Sequence, residues 1–296
     1  MVRFACFLNR RIEFLSQRYG KSFILTALKI RIRRIIKGNE SLIKNETYKK
    51  ITVPLAGKIT LKTSDYLGFN LYVEGVYEPH TIDFFVRNLA KGENVLDIGA
   101  NIGYHTLIMS KLVGPGQVFS FEPNPHILPI LYKNIGSNNR KNITVFEVGL
   151  SDRNTVQNFY VPDGSGSSSG QASLRSLGGE TVIEKIKLIR LESILHTLPK
   201  IRLIKMDIEG AEGLALAGMG GFLNRDKPLI IFEFSSEFLR SLGTEPSSVI
   251  AGLRNMGFDL YVLSESISHL LLIPETQINI LGVHCQDPFS KEFKNR

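Results

Sequence analysis

Hydrophobic and polar positions recur along this chain with two different periods, and the switch between them marks its elements. Residues 51–77 read with period two. Ile51–Leu55, Lys58–Lys62 and Asn70–Val76 are expected strands, with turn signals at Ala56-Gly57 and Leu67-Gly68. Pro79 then opens a helical pattern over His80–Ala90, where its missing N–H costs nothing in a first turn. From Val95 short apolar runs alternate with helical stretches. The expected strands are Val95–Ile98, Gln117–Phe121, Ile143–Val148, Leu203–Met206, Leu229–Phe234, Asp259–Leu263 and Gln277–Val283. The helices between them are His105–Leu112, Pro125–Ile135, Ala211–Met219 and Pro246–Met256. Such alternation specifies an α/β fold with a largely parallel sheet and helices on both faces. Between Val148 and Leu203 the rhythm breaks. Thr155–Val161 and Ile186–Leu191 read as added strands around the Gly/Ser run 164–170, which is either a surface loop or a lid.

Charge changes the picture at one end only. The net charge is +8, with 43% hydrophobic and 22% charged residues. Residues 1–37 hold ten Lys/Arg against the single acid Glu13, so the remaining body is close to neutral. A near-neutral body argues against nucleic acid as partner. Within the basic segment, Ile24, Leu25, Leu28, Ile32, Ile35 and Ile36 share a helical face, with Lys29, Arg31, Arg33, Arg34 and Lys37 around the rest. Residues 21–37 are therefore expected to form a basic amphipathic helix, lying on an anionic membrane surface, on an acidic partner or on the chain's own domain. No apolar run there is long enough to span a bilayer. Cys6 and Cys285 make neither a disulfide framework nor a zinc set, and they fit a cytoplasmic, at most membrane-peripheral, protein. The domain reading is a helical extension over 1–50 followed by one domain over 51–296, made of a β-rich lead-in (51–77) and a core (78–296).

Candidate chemistry gathers where strands end. Asn94–Thr106 reads as strand, tight glycine turn and helix start, in the order of a nucleotide-binding corner. Glu122, 19 residues beyond Gly103, closes the next strand and suits a ribose diol, or else caps a helix. Asp97 disfavours a diphosphate over the corner and favours a ligand with a cationic amino acid portion. Asp207, Glu209 and Glu233 end two further strands. Three carboxylates on one rim could neutralise a sulfonium, act as a general base, bind a divalent metal, or cap helices.

Four stretches, VLDIGANIGYHT (95–106), VFSFEPNP (118–125), VGLSD (148–152) and IRLIKMDIEGAE (201–212), together resemble the FkbM family of class I S-adenosylmethionine-dependent methyltransferases. SSSGQASL (167–174) is similar to that family's small-residue loop. The resemblance spans residues 78–263 and implies a Rossmann-like, seven-stranded, mostly parallel sheet. It also implies methyl transfer from S-adenosyl-L-methionine to a hydroxyl of a sugar, glycan or natural product. Carried over by position, Asp97, Gly99, Asn101 and Gly103 would hold the cofactor's amino acid part and Glu122 its ribose. Asn124, Gly149, Leu150 and Asp152 would line the adenine, and Asp207 would lie near the methyl group. Asp207 stands first as general base, with Glu209, Glu233 and His105 behind it, and no metal is assigned. The rival readings are a nucleic-acid methyltransferase gripping through residues 1–37, a non-catalytic scaffold at a membrane, and a nicotinamide oxidoreductase. Gly-x-Asn-x-Gly in place of Gly-x-Gly-x-x-Gly counts against the last.

Overall fold

The structure is a computed structural model that describes residues 47–162, 172–175 and 181–293, together with Cys6 and Asn9. The expected basic helix over 21–37 and the Gly/Ser run 164–170 lie outside the described residues. Among the described residues no helix is long and apolar enough to cross a membrane.

The lead-in is a hairpin, β1 (Tyr48–Val53) and β2 (Gly57–Lys62), paired antiparallel from Tyr48↔Lys62 to Val53↔Gly57. The third expected strand, Asn70–Val76, is instead helix α1 (Tyr66–Val73). Its alternation covers only four residues, and β2 pairs with β1 alone. Curling the segment buries Leu71 and Val73 together and seats Gly68 so tightly that a Cβ there would lie 1.9 Å from the Lys62 carbonyl oxygen. Helix α2 (Pro79–Asn88) follows as expected.

The core then alternates as the pattern requires. Its elements are β3 (Val95–Ile98), α3 (Tyr104–Val113), β4 (Val118–Phe121), α4 (Leu128–Ser137) and β5 (Ile143–Phe146). After the insertion come β9 (Leu203–Met206), α5 (Glu212–Ala217), α6 (Gly220–Asp226) and β10 (Leu229–Phe234). Helices α7 (Ser236–Ser241) and α8 (Pro246–Asn255) lead to β11 (Phe258–Leu263), β12 (Ile267–His269) and β13 (Ile278–His284). One sheet in the order β12-β11-β13-β10-β9-β3-β4-β5 contains the seven expected strands plus the three-residue β12 at its edge. Strands β5, β4, β3, β9 and β10 are mutually parallel, and β13 runs antiparallel between β10 and β11. The expected helix 211–219 ends early as α5, before Gly218, where a Cβ would meet the Ser151 carbonyl oxygen at 1.9 Å, and α6 (Gly220–Asp226) follows as a further helix.

The insertion is a small second sheet. In it β8 (Thr181–Ile189) pairs parallel with β6 (Gly149–Leu150) and antiparallel with β7 (Thr155–Pro162). Phe159, Ile186 and Leu188 form its buried face.

Each strand of the large sheet shows alternate residues to two cores. Leu96, Ile98, Ile204, Met206, Ile230 and Phe232 pack on one side; Val95, Val118, Leu203, Leu229 and Ile231 pack on the other, beneath α2 and α3. The second set continues, two residues at a time, into Asp97, Ser120, Lys205 and Glu233. A polar stripe therefore crosses the carboxyl ends of neighbouring strands on one face, which is where parallel sheets present ligand sites.

Candidate active site

At the end of β3 the backbone turns through Gly99, at φ 84°, and Asn101, at φ 50°. Gly99 is required by crowding as well as conformation, since a Cβ there would lie 1.9 Å from the Asp207 carbonyl oxygen. The Asp207 N–H donates to the Ile98 carbonyl at 3.0 Å, so the turns after β3 and β9 lock together. A cavity of about 650 Å³ opens over them. Gly99, Ala100, Asn101 and Ile102 form its floor, and Glu122, Asn124, Gly149 and Leu150 one side. Phe159, Ile186 and Leu188 of the small sheet supply an apolar wall.

Glu122 is held in place by its neighbours. Its Oε2 accepts the Asn101 N–H and its Oε1 the Asn124 N–H, both at 2.8 Å. Each oxygen keeps a lone pair for a further donor, which is what a vicinal diol needs. Burial pushes its carboxyl up to about 7, against the two N–H donors.

The lining also includes Asp207, Glu209, Glu233 and two residues the sequence reading passed over, Glu78 and Lys205. Lys205 is 3% exposed, sits across from Asp97 in the β3–β9 register, and donates from Nζ to Asp207 Oδ2 at 3.0 Å. Burial alone would lower its pKa, but Asp207, Glu78 and Asp97 outweigh that and hold the ammonium charged well above the ordinary lysine range. Glu78 reaches in from the turn before α2, at φ 46°. Its Oε1 accepts from Asn279 Nδ2 at 2.8 Å, and its Oε2 lies 3.2 Å from His105 Nε2. Burial opposes its ionisation, yet His105 and Lys205 draw its carboxyl down to about 2. Burial and the Asp207 charge act the other way on Glu233, pushed up to about 9, and on Glu209, pushed up to about 7. Arg175 and Lys205 partly offset the effect at Glu209.

Three expected ligands stand behind the wall rather than in it. Asp97 is fully buried, and its Oδ2 accepts the Thr106 hydroxyl of the first turn of α3, so it braces the corner from behind. Burial pushes its carboxyl up, with Lys205 and His105 opposing. Gly103 faces α4, where a Cβ would come 2.7 Å from Leu131 Cδ1. Asp152 is not among the residues lining the cavity and is held by Arg153 Nε and Nη2 at 3.0 and 2.7 Å, which keeps its carboxyl below the usual range. Gly99, Asn101, Glu122, Asn124, Gly149 and Leu150 do reach the cavity. A carboxylate oxygen from each of Glu78, Asp207 and Glu233 lies within 4.8 Å of the others, so Glu78 replaces Glu209 in any cation-binding trio. The Lys205 ammonium already supplies positive charge there.

Comparison with known proteins bears directly on this cavity. The FkbM methyltransferase domain matches residues 97–260, more than half of the chain. The chain belongs to the FkbM methyltransferase family. Its cofactor is S-adenosyl-L-methionine. Similar proteins include methyltransferase sdnD of Sordaria araneosa, 27% identical over 49% of this chain and 66% of that one. The 2-O-methyltransferase NoeI of Sinorhizobium fredii is 28% identical over 49% of this chain and 64% of its own length. Hexuronic acid methyltransferase AglP of Haloferax volcanii is 30% identical over 48% and 56%. The chain thus spans at most two thirds of each of these relatives.

The residues fit the FkbM cofactor. Glu122 offers a fixed acceptor pair for a ribose, and Leu150 and Leu188 an apolar slot for a purine. The cluster of acids around Asp207 suits a sulfonium. Glu122→Gln replaces an ionisable acceptor with an amide that must turn one N–H toward Asn101 or Asn124. Cofactor affinity is expected to fall about 10- to 100-fold, as for a charge-assisted hydrogen bond, measured by calorimetry at pH 8. An unchanged dissociation constant would remove Glu122 from the cofactor site.

Proposed function

We propose that this FkbM methyltransferase methylates a hydroxyl oxygen of a sugar or related polyol, with Glu209 taking the hydroxyl proton. Bound S-adenosyl-L-methionine supplies an activated methyl group: the acceptor oxygen bonds the methyl carbon as the carbon–sulfur bond breaks and its electron pair leaves on sulfur. The chain has then to orient the hydroxyl, exclude water and receive one proton.

The observation that carries this reading is the unequal treatment of the acids facing the cavity. A general base works best with a pKa near the working pH, and Glu209 is pushed to about 7. Glu233, at about 9, stays protonated near neutrality and can donate a hydrogen bond to the acceptor. Asp207 already accepts a hydrogen bond from the Lys205 ammonium on Oδ2 at 3.0 Å, so one of its two oxygens is committed before any acceptor arrives. The names of NoeI and AglP, a 2-O-methyltransferase and a hexuronic acid methyltransferase, support a sugar oxygen as the target.

The test is transfer of labelled methyl from S-adenosyl-L-methionine to a panel of free and glycosidic hexoses, short RNAs and lipid vesicles. Label on a sugar hydroxyl is the expected result. Label on RNA alone, or cofactor binding without transfer to anything, would replace this reading with one of its rivals.

A further inference from the structure

The turn that carries Glu209 is held from outside the large sheet, by a short stretch of the insertion. Glu209 sits at φ 55° and Gly210 at φ 101°. Gly210 is packed so closely that a Cβ there would lie 2.7 Å from the Phe238 carbonyl oxygen. A left-handed backbone is unfavourable for a residue with a side chain and persists only where its surroundings fix it. Hydrogen bonds from two directions fix it here. The Ile208 N–H donates to Glu212 Oε1 at 2.9 Å, within the same turn. The Ser173 hydroxyl donates to the Glu209 carbonyl oxygen at 3.2 Å, across 36 positions of sequence.

Ser173 is itself buried and tied down. Its hydroxyl accepts the Arg175 N–H at 3.3 Å, and its backbone exchanges two hydrogen bonds with Tyr160 of β7, at 2.9 and 3.1 Å. Ala172 and Leu174 on either side pack against Phe159, Ile186 and Leu188, the side chains that wall the cavity. One continuous run of contacts therefore leads from that wall to the backbone of Glu209. Arg175 closes the same corner from another side. Its guanidinium lies over the Phe238 ring, 4.0 Å from the centroid, and its charge acts on the Glu209 carboxyl. Its Nε is buried with no hydrogen-bond partner among the described residues, so stacking and charge set the place of this side chain.

We propose that Ser173 and Arg175 are positioning residues for methyl transfer, which hold the Glu209 carboxyl toward the acceptor by fixing the turn that carries it and the Phe238 ring beside it. This step rests on Glu209 being the group that takes the hydroxyl proton. In-line transfer tolerates little displacement, and a misplacement of about 1 Å is enough to cost a large part of the rate. The insertion then does two things at once: it walls the cofactor slot and it sets the base.

The experiment makes Ser173→Ala and Arg175→Leu in the full chain, each alone and each combined with Glu209→Gln. Methyl transfer from S-adenosyl-L-methionine is followed to methyl hexopyranosides of gluco, galacto and manno configuration, and S-adenosylhomocysteine binding is titrated by calorimetry. Each single variant is expected to lower kcat about 10-fold while KM for the glycoside and the S-adenosylhomocysteine dissociation constant stay within about threefold. In the Glu209→Gln background neither is expected to lower kcat further, since a residue that works through Glu209 has nothing left to position. Parental kcat in either single variant strikes that residue from the role. The same 10-fold loss in the Glu209→Gln background overturns the inference and leaves sugar methylation by Glu209 standing. Should Ser173→Ala fail to fold, Arg175→Leu, which keeps every backbone hydrogen bond, carries the test. If Glu209→Gln itself keeps its turnover, or no glycoside is methylated, the proposed reaction falls and takes this inference with it.

Discussion

Glu209→Gln is expected to lower the turnover number by about 10²- to 10³-fold while leaving cofactor affinity within about threefold of the parent. The substitution keeps size and shape and removes only the ability to take a proton. A carboxylate base works when deprotonated, so the parent's rate should rise with pH through about 7, the value to which burial and Asp207 push this group. In Glu209→Gln that rising limb should vanish, because the residual rate no longer depends on Glu209's charge. Asp207→Asn separates the alternatives. If Asp207 is instead the base, its variant will lose the same factor, and Glu209→Gln will keep the pH limb. Stopped assays from pH 5.5 to 9, with cofactor saturating, decide between them.

The corner at Gly99 and the strand-end acids were legible because their chemistry is local. A glycine turn between an apolar run and a helix needs only a few residues to be recognised, and parallel strands must end on a common edge. The β1–β2 hairpin and the strands Val95–Ile98, Leu203–Met206 and Leu229–Phe234 follow from the same periodicity. Tyr66–Val73 was not legible, because alternation over four residues is equally compatible with one helical turn, and only the missing strand partner decides. Nor was Glu78. It precedes the sheet by a helix and reaches Asn279 across 201 positions of sequence, a contact that no spacing announces. Lys205 did leave a signal. A lysine between Ile204 and Met206, in a strand whose every residue is buried, has to find a negative partner inside the protein. One nearby acid could have been read from register, since Asp97 sits opposite Lys205 in the neighbouring strand, but the acid it bonds is Asp207, two residues further along. The proposed division of roles among Asp207, Glu209 and Glu233 was beyond reach of the sequence, because it depends on which acid the lysine meets.

Lys205→Met is expected to destabilise the protein by about 3–5 kcal/mol, the range found when one partner of a buried ion pair is removed. The shape of the side chain is nearly kept. What disappears is the buried ammonium on which Glu78, Asp97 and Asp207 act. In the parent this contribution is present at every pH below lysine's unfolded value, since folding raises the Lys205 pKa, and it fades only in strong alkali. Glu78, drawn down to about 2, adds stability above its unfolded value of 4.5 that is lost as the pH falls toward 2. With the ammonium gone, the surviving carboxylates repel one another unless they bind protons. The deficit of Lys205→Met should therefore shrink as the pH is lowered from 8 to 5, the reverse of ordinary acid destabilisation. Adding Asp207→Asn removes one of the stranded charges and should recover at least about 1 kcal/mol, a coupling well outside the additivity expected of independent sites. Urea unfolding of the parent, both single variants and the double variant at pH 5 and 8 measures each term. A Lys205→Met protein as stable as the parent at pH 8 would mean that these acids are already protonated there, leaving Asp207 free of the role of fixed charge.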